Sequence, residues 1–241
     1  MRCPCFVRSW NVKPAFVLRR NNFRDNSLLL DLLTQDEGRI TAVARYSKKQ
    51  AARIKGMLEP FRLLDTSWVG RGEVVTLTQT EEKGRYRLQQ GALAQGLYVN
   101  ELFLRAFQTH EPLPELFQRY REVLYTLETG ENLPAVMLLE LELLENLGYS
   151  LNLWQDDQAG LELREDLTYR FRPEFGLVEA EQVLAEPNDT LIAGRLLLAL
   201  RRPEQMPLAA WRELRFVLDR LWRVLLKGKT LYARQLISEL S

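Results

Sequence analysis

The chain has 241 residues, 46% of them hydrophobic and 27% charged, a composition that supports packed cores in one large or two small domains. No apolar run approaches the roughly 20 residues that a membrane-spanning helix needs, and the N-terminus lacks the apolar core of a signal peptide, so we expect a cytoplasmic protein. The net charge of +1 hides a division: residues 1–90 hold 17 Lys/Arg against 9 Asp/Glu, residues 91–200 hold 7 against 19, and residues 201–241 hold 9 against 4. This division predicts a polyanionic partner for the basic first third.

The first third has the pattern of short strands. Apolar or alternating runs separated by turn residues predict five strands, at residues 15–20, 27–34, 39–46, 61–69 and 73–80. Five strands within about 70 residues, with glycine-containing turns, favour a small closed barrel over a βαβ unit.

The densest basic stretch lies between the third and fourth of these strands. Residues 47–60, SKKQAARIKGMLEP, contain no acid before Glu59. Its cations are Lys48, Lys49, Arg53 and Lys55. The stretch predicts a helical turn that ends at Gly56.

From about residue 88 apolar residues recur at three- and four-residue spacing, which is helical. Helices are predicted over residues 91–107, 115–129, 134–147, 189–200 and 208–226. Asn188 or Asp189 is the predicted N-cap of the fourth. The irregular stretch between the third and fourth contains short predicted strands at residues 167–171 and 176–178. The pattern therefore predicts an α+β protein, a five-stranded barrel followed by a mainly α-helical domain.

The last predicted helix is strongly amphipathic. Its apolar face carries Trp211, Leu214, Leu218, Leu221 and Leu225. Its opposite, solvent-facing side is predicted to carry Arg212, Arg215, Asp219, Arg223 and Lys227.

Signatures of catalysis are missing. The chain has neither a phosphate-binding Gly-x-x-x-x-Gly-Lys-Ser/Thr loop nor a Gly-x-Gly-x-x-Gly motif. His110 is the only histidine, and Cys3 and Cys5 are the only cysteines, which is too few soft ligands for a metal site. We therefore expect no enzyme, cofactor or metal, and a nuclease is the least supported alternative.

Cations on a small barrel are typical of nucleic-acid binding, with Lys/Arg on phosphates and aromatic rings stacked on bases. The candidate phosphate contacts are Arg19, Arg20, Arg24, Arg39, Arg45, Lys48, Lys49, Arg53, Lys55 and Arg71. The candidate aromatics are Phe16, Phe23, Tyr46, Phe61 and Trp68, of which Phe16 and Phe61 are expected in the barrel core rather than as stacking platforms. A second anion-binding surface is predicted from Arg223, Lys227, Lys229 and Arg234.

Segments spread over residues 15–236 carry a family resemblance through their order and spacing. They are AFVLRR, SLLLDLLTQDEGRITAVAR, IKGMLEPF, GRGEVVTL, GLYVNELFLR, ELELLENLGYSLN, LTYRF and GKTLYARQL. Together they resemble the RecO family of DNA repair and recombination mediators. The resemblance matches Lys55, Gly56, Leu58, Pro60 and Phe61 to a family motif, and Lys229 and Arg234 to basic positions of the family's C-terminal segment.

The resemblance implies an N-terminal OB-fold DNA-binding domain, with an N-terminal extension, over residues 1–86 and a helical domain over residues 87–241. It implies binding of single- and double-stranded DNA, annealing of complementary strands, contact with the C-terminal tail of single-stranded DNA-binding protein (SSB) and, with RecR, loading of RecA onto SSB-coated DNA in the RecF pathway. RecF and RecA are then indirect partners, and the protein is expected near the nucleoid. Many family members hold zinc with four cysteines, but residues 150–188 contain no cysteine or histidine, so this insertion is expected to be zinc-less.

An acidic tail that ends in phenylalanine would need an apolar pocket beside a cation. The candidate pocket residues are Leu116, Phe117, Arg119, Tyr120 and Arg121, although core packing is the favoured expectation for each of the apolar ones taken singly. Charge and strand pattern also allow an RNA-binding OB-fold protein, which competition between DNA and RNA oligomers would discriminate.

Overall fold

The structure is a computed structural model that describes residues 12–173 and 175–240. Cys3 and Cys5 lie outside the described residues. The chain divides into two compact units: the barrel unit, up to Gly130 together with the segment from Tyr232 onward, and the second unit, Glu131–Leu231. The domain division predicted at residues 86 and 87 lies within the barrel unit and stays a prediction.

Five strands of the barrel unit form a closed barrel. They are β1 (Lys13–Asn22), β2 (Ser27–Thr34), β3 (Gly38–Arg45), β4 (Arg62–Val69) and β5 (Val74–Arg85). The order is β1-β2-β3-β5-β4, with antiparallel pairing of β1 and β4 and parallel pairing of β3 and β5. This strand order is that of the five-stranded Greek-key barrel of the OB-fold, so the predicted fold is confirmed.

Apolar side chains at alternate positions of the strands fill the interior of the barrel. Leu28, Leu30 and Leu32 of β2 are fully buried in its core, because successive side chains of a strand point to opposite faces. A short helix, α1 (Ala51–Met57), follows a 3₁₀ turn at Lys48–Gln50 and contributes Met57 to the same core. The predicted helical turn is therefore present, and its apolar residues anchor it to the barrel.

Two longer helices, α2 (Gln90–Ala106) and α3 (Pro114–Glu128), pack against the outside of the barrel. The Phe16 ring lies 5.1 Å from that of Phe117 and 5.0 Å from that of Tyr120, between centroids. The Tyr120 hydroxyl donates to Asn100 Oδ1 at 2.6 Å, and Asn100 Nδ2 donates to the Leu18 carbonyl at 2.8 Å. Burial raises the pKa of Tyr120 far above its usual value. Phe16 is thus a core residue of the barrel–helix layer.

The barrel unit also includes the helix α7 (Tyr232–Leu240), which the sequence pattern did not indicate. It packs on α2, where its Ala233 amide donates to Glu101 Oε2 at 2.9 Å. A helix of nine residues shows too few periods to stand out in a sequence.

The second unit combines helices with a three-stranded sheet. It contains α4 (Leu133–Asn146), β6 (Thr168–Arg172), β7 (Gly176–Glu179), β8 (Thr190–Ala193), α5 (Gly194–Ala199) and α6 (Leu208–Leu225). The sheet order is β7-β6-β8, so the two short strands predicted in the irregular stretch are present.

The helix predicted over residues 189–200 is wrong in its first half. Residues Thr190–Ala193 form β8, and α5 begins only at Gly194. Thr190 and Ile192 are buried on alternate positions, which favours a strand against β6. The Asp189 carboxylate accepts from Arg172 Nε at 2.6 Å instead of capping a helix.

The predicted solvent-facing position of Arg215 is also wrong. Arg215 is 7% exposed, and its guanidinium donates to both carboxylate oxygens of the fully buried Glu140 of α4. Trp222 Nε1 donates to Glu140 Oε2 at 2.9 Å. The ion pair joins α4 to α6, so this arginine belongs to the core of the second unit.

The irregular stretch between α4 and β8 is held by carboxylates that accept hydrogen bonds from backbone amides. Asp156 accepts from the amides of Gln158 at 3.1 Å and Leu161 at 3.1 Å, and Asp157 accepts from the Leu177 amide at 2.6 Å. Across residues 12–173 and 175–240, no group of three or more His, Cys, Asp or Glu side chains is arranged to hold a metal ion. Within the same residues, none of the helices combines the length and apolarity needed to cross a membrane.

Candidate nucleic-acid interface

The basic loop, residues 45–55, leaves the end of β3 in a compact form. The Ser47 amide and hydroxyl both donate to Gln50 Oε1, at 3.4 and 2.9 Å, and the Gln50 amide donates to the Ser47 carbonyl at 2.9 Å. These bonds start the 3₁₀ turn that runs into α1. Ile54 and Met57 pack on the barrel core, so the helix is anchored by one face.

The cations of the basic loop are exposed and uncompensated. Arg45, Lys48, Lys49 and Arg53 are exposed, and Lys55 is half-buried with its Nζ 5.6 Å from the centroid of the Tyr46 ring. Among the residues that the structure describes, no carboxylate lies within ion-pair distance of any of the five. A concentration of unpaired positive charge on a rigid turn attracts a phosphate backbone and positions it.

The neighbouring turn between β1 and β2 adds an exposed arginine, Arg24, and an exposed carboxylate, Asp25, to this end of the barrel. Arg45 pairs with Ser27, and the Tyr46 amide donates to the Asn26 carbonyl at 3.1 Å, which brings the two loops side by side. That turn carries the exposed Arg24, whose guanidinium carbon lies 5.2 Å from the centroid of the half-buried Phe23 ring. Cations and partly exposed rings therefore meet here, as single-strand binding requires.

Three other predicted cations are engaged by carboxylates of the barrel. Asp31, 4% exposed, accepts from Arg19 Nε at 2.8 Å and from Arg39 Nη1 at 3.2 Å. Arg20 Nη1 lies 2.5 Å from Glu59 Oε1 and donates to the Lys55 carbonyl at 2.7 Å. These arginines hold strands and the basic loop in place, and their contact with DNA stays a prediction.

Arg71 lies at the other end of the barrel from the basic loop. Thr41 pairs with Val74 in parallel register, so the β4–β5 hairpin that carries the exposed Arg71 lies towards the start of β3. The basic loop begins at Arg45, four residues or about 13 Å further along β3. A strand that touches both sites must run along the barrel.

A groove of about 530 Å³ separates α1 from the β4–β5 strands. Arg53 lines one wall and Arg62, Glu82 and Arg85 the other. Glu82 accepts from Arg85 at 2.9 Å and Arg62 at 2.8 Å, and these hydrogen bonds, that from Arg85 above all, hold its pKa below the usual value. Arg62 and Arg85 are therefore engaged by Glu82, which leaves Arg53 as the arginine of the groove that has no carboxylate partner among the described residues.

The aromatic residues predicted to stack on bases differ in solvent exposure. Phe16 and Phe61 are buried, which agrees with the core alternative stated for them. Trp68 is half-buried, with Lys13 Nζ 5.3 Å from its ring centroid. With Phe23 and Tyr46, it is one of three predicted aromatics that keep exposed surface in the described residues.

The predicted C-terminal anion surface is divided between the units. Arg223, Lys227 and Lys229 are exposed at and beyond the end of α6 in the second unit. Arg234 is half-buried in α7 of the barrel unit. Only the first three form a continuous stretch of one unit, and their anion binding stays a prediction.

The residues predicted to form a tail pocket lie on α3. Leu116, Phe117 and Tyr120 are at most 2% exposed, and Arg119 pairs with Glu122 at 3.0 Å. Arg121 is exposed. The three apolar side chains have the packing of a core, so a tail could reach them only if α3 moved, and the pocket stays a prediction.

Sequence reasoning missed the exposed rings of the second unit, which include Trp154, Phe175 and Phe216. Trp154 is 68% exposed, with the Arg201 guanidinium carbon 4.6 Å from the centroid of its ring, and Phe216 is 76% exposed on α6. An aromatic residue on the polar face of an amphipathic helix was a readable signal for Phe216. Trp154 lies in irregular chain, where no periodicity marks exposure.

Comparison with known proteins identifies the family. A model described as "Recombination protein O N terminal" matches residues 10–86, and one described as "Recombination protein O C terminal" matches residues 88–226. The chain is 37% identical over 224 residues to the "DNA repair protein RecO" of Methylococcus capsulatus, covering 92% of this chain and 90% of the relative.

Two further relatives carry the same name. The protein of Coxiella burnetii is 33% identical over 227 residues, covering 94% of this chain and 97% of the relative. That of Halorhodospira halophila is 36% identical over 233 residues, covering 95% and 97%. With both halves matched and relatives aligned over almost their whole length, the chain belongs to the RecO family of DNA repair and recombination proteins.

Proposed function

We propose that this protein is a DNA-binding recombination mediator of the RecF pathway that anneals complementary strands. The observation that carries the proposal is the basic loop, whose five cations have no carboxylate partner among the described residues, while Arg19, Arg20 and Arg39 are paired with carboxylates. Membership of a DNA repair family supports DNA as the polyanion. Cations that bind phosphates leave base edges free, which is what annealing of two mutually repelling strands needs.

The remaining parts of the proposal concern partners and place of action. The protein would bind the SSB tail and RecR and help RecA to replace SSB, with RecF as an indirect partner near the nucleoid in the cytoplasm. It would turn over no small molecule. Annealing of complementary oligomers with and without SSB, followed by RecA filament formation with and without RecR, tests these steps, and an annealing rate no faster than the spontaneous one would contradict the proposal.

The test of the loop replaces Lys48, Lys49, Arg53 and Lys55 with alanine together. We expect weaker binding to every DNA sequence and a shallower salt dependence, by about 0.7 in the logarithmic slope for each single-strand phosphate that the loop no longer neutralises. The Lys55 carbonyl that accepts from Arg20 is retained, because only side chains change. Unchanged affinity and slope between about 50 and 200 mM salt would reject the loop as the DNA site.

A matched control removes four cations that are already paired with carboxylates. They are Lys83, Arg105, Arg164 and Arg195. The charge change is the same, so a general loss of attraction would weaken both variants equally. We expect the control to lose far less affinity than the loop variant.

Two alternatives are separable by assay. Competition between DNA and RNA oligomers of equal sequence tests an RNA-binding protein, and preference for RNA would favour that alternative. Incubation of labelled DNA with Mg²⁺ or Mn²⁺ tests a nuclease, for which cleavage that depends on the metal would be required.

A further inference from the structure

An aromatic ring stands on the outer side of α6, where its packing does not need it. The helix buries Trp211, Leu214 and Leu218 against the second unit. Phe216 faces away from them and is 76% exposed. A single exposed apolar side chain is ordinary, so its neighbours decide whether it has a use.

Cations flank the ring along the helix. Arg212 precedes Phe216 by one turn and Arg223 follows by about two turns, which places them about 6 Å and about 10 Å away along the axis. Lys227 lies just beyond the end of the helix. These three cations are exposed, and no carboxylate of the described chain lies within ion-pair distance of them.

The acids on α6 are already engaged elsewhere. Glu213 pairs with Arg195 at 2.6 Å, and Asp219 pairs with the buried Arg215 at 2.9 Å. The charge around the ring is therefore positive and uncompensated. The nearest large exposed apolar residue on the helix is Leu208, about 12 Å from Phe216 along the axis, so the ring is not part of a contiguous apolar patch.

We propose that Arg212, Phe216, Arg223 and Lys227, the α6 strip, form a second binding site for single-stranded DNA, in which a base stacks on Phe216. Phosphates on either side of that base would meet the cations, the combination of stacking and charge that single-strand sites use. A protein partner would call for a larger apolar patch and fewer cations at its centre. The inference rests on the proposed DNA-binding function and adds a base-contacting site on the second unit.

The test separates stacking from charge with two probes, a short oligothymidylate and an abasic oligomer with the same number of phosphates. With the full chain, Phe216→Ala is expected to weaken oligothymidylate binding about tenfold, which is about 1.4 kcal/mol, and to leave the abasic oligomer unaffected. Phe216→Trp is expected to bind oligothymidylate at least as tightly as wild type. Replacing Arg212 and Arg223 with alanine is expected to weaken both probes equally.

Further variants make the result specific. Phe216→Leu keeps an apolar side chain without a ring and must behave as Phe216→Ala. Tyr125→Ala removes a ring that is 69% exposed on α3, outside any cationic strip, and is expected to change nothing. Unaltered thermal unfolding checks that the variants fold, as the exposure of both rings leads us to expect.

Phe216→Ala should weaken oligothymidylate binding by the same factor in wild type and in the variant with alanine at the four basic-loop positions. If the basic-loop variant binds DNA like wild type while Phe216→Ala weakens oligothymidylate binding, the loop is rejected as a DNA site and the α6 strip is retained. The strip is rejected if Phe216→Ala changes neither probe, or weakens both equally, or if Phe216→Leu binds like wild type. The proposal is also overturned if Phe216→Ala loses binding to the SSB tail or to RecR while its DNA binding is intact, because the ring would then be a protein contact.

Discussion

Replacing Glu140 with alanine should destabilise the second unit strongly. The carboxylate is fully buried and accepts hydrogen bonds from Arg215 at both oxygens and from Trp222 at one of them. The substitution leaves a guanidinium that is 7% exposed without its main counterion. Breaking a buried pair on one side costs about 3–5 kcal/mol.

The ion pair that Arg215 keeps with Asp219 narrows the expected loss of stability. Arg215 keeps Asp219 at 2.9 Å, a carboxylate whose side chain is 28% exposed, so the loss should be near the lower limit, about 3 kcal/mol. For a unit of about 100 residues, each kcal/mol lowers the unfolding midpoint by about 4–8 °C. We therefore expect the midpoint of the second unit to fall by at least about 12 °C.

Calorimetry and urea unfolding of the full chain measure this loss. Glu145→Ala, an exposed position on the same helix, is the control and should stay within about 0.5 kcal/mol of wild type. Glu140→Leu combined with Arg215→Met should recover most of the stability, because no unpaired charge then remains buried. A loss below about 1 kcal/mol for Glu140→Ala would refute the view that this pair is a buried charge cluster.

Three more changes test other parts of the fold. Hydrogen bonding from Arg172 lowers the pKa of Asp189, so the ionised carboxylate stabilises the native state above pH about 4. The free energy of unfolding of wild type should exceed that of Asp189→Asn at neutral pH, and this difference should shrink as the pH falls through the lowered pKa. A difference that persists in acid would contradict this prediction. Gly38→Ala should destabilise by more than about 1 kcal/mol in urea unfolding, because φ is +65° and a β-carbon would lie 1.6 Å from the Glu111 carbonyl oxygen; wild-type stability would disprove that close approach. Tyr120→Phe should cost about 1–3 kcal/mol in the same assay, since the buried carboxamide oxygen loses its donor, and a neutral effect would mean that the bond is not formed in solution.

Local pattern was sufficient for most elements. The apolar run at residues 27–34 predicted β2 with its observed bounds, because a strand of a closed barrel packs apolar side chains into the core. The amphipathic α6 and the exposed basic loop were equally readable. Thr190–Ala193 was not, because four residues fit a helix turn or a strand, and pairing with β6 decides between them.

The sequence alone does not show which cations are paired with carboxylates in the folded protein. Composition located an excess of cations in the first third, and the periodicity placed the basic loop between two strands. Which cations remain available depends on registers that bring Asp31 opposite Arg19 and on packing that brings Glu140 to Arg215. A side chain's charge is a property of its residue type, but its neutralisation depends on neighbours that are distant in sequence, so the candidate interface had to be read from the folded chain.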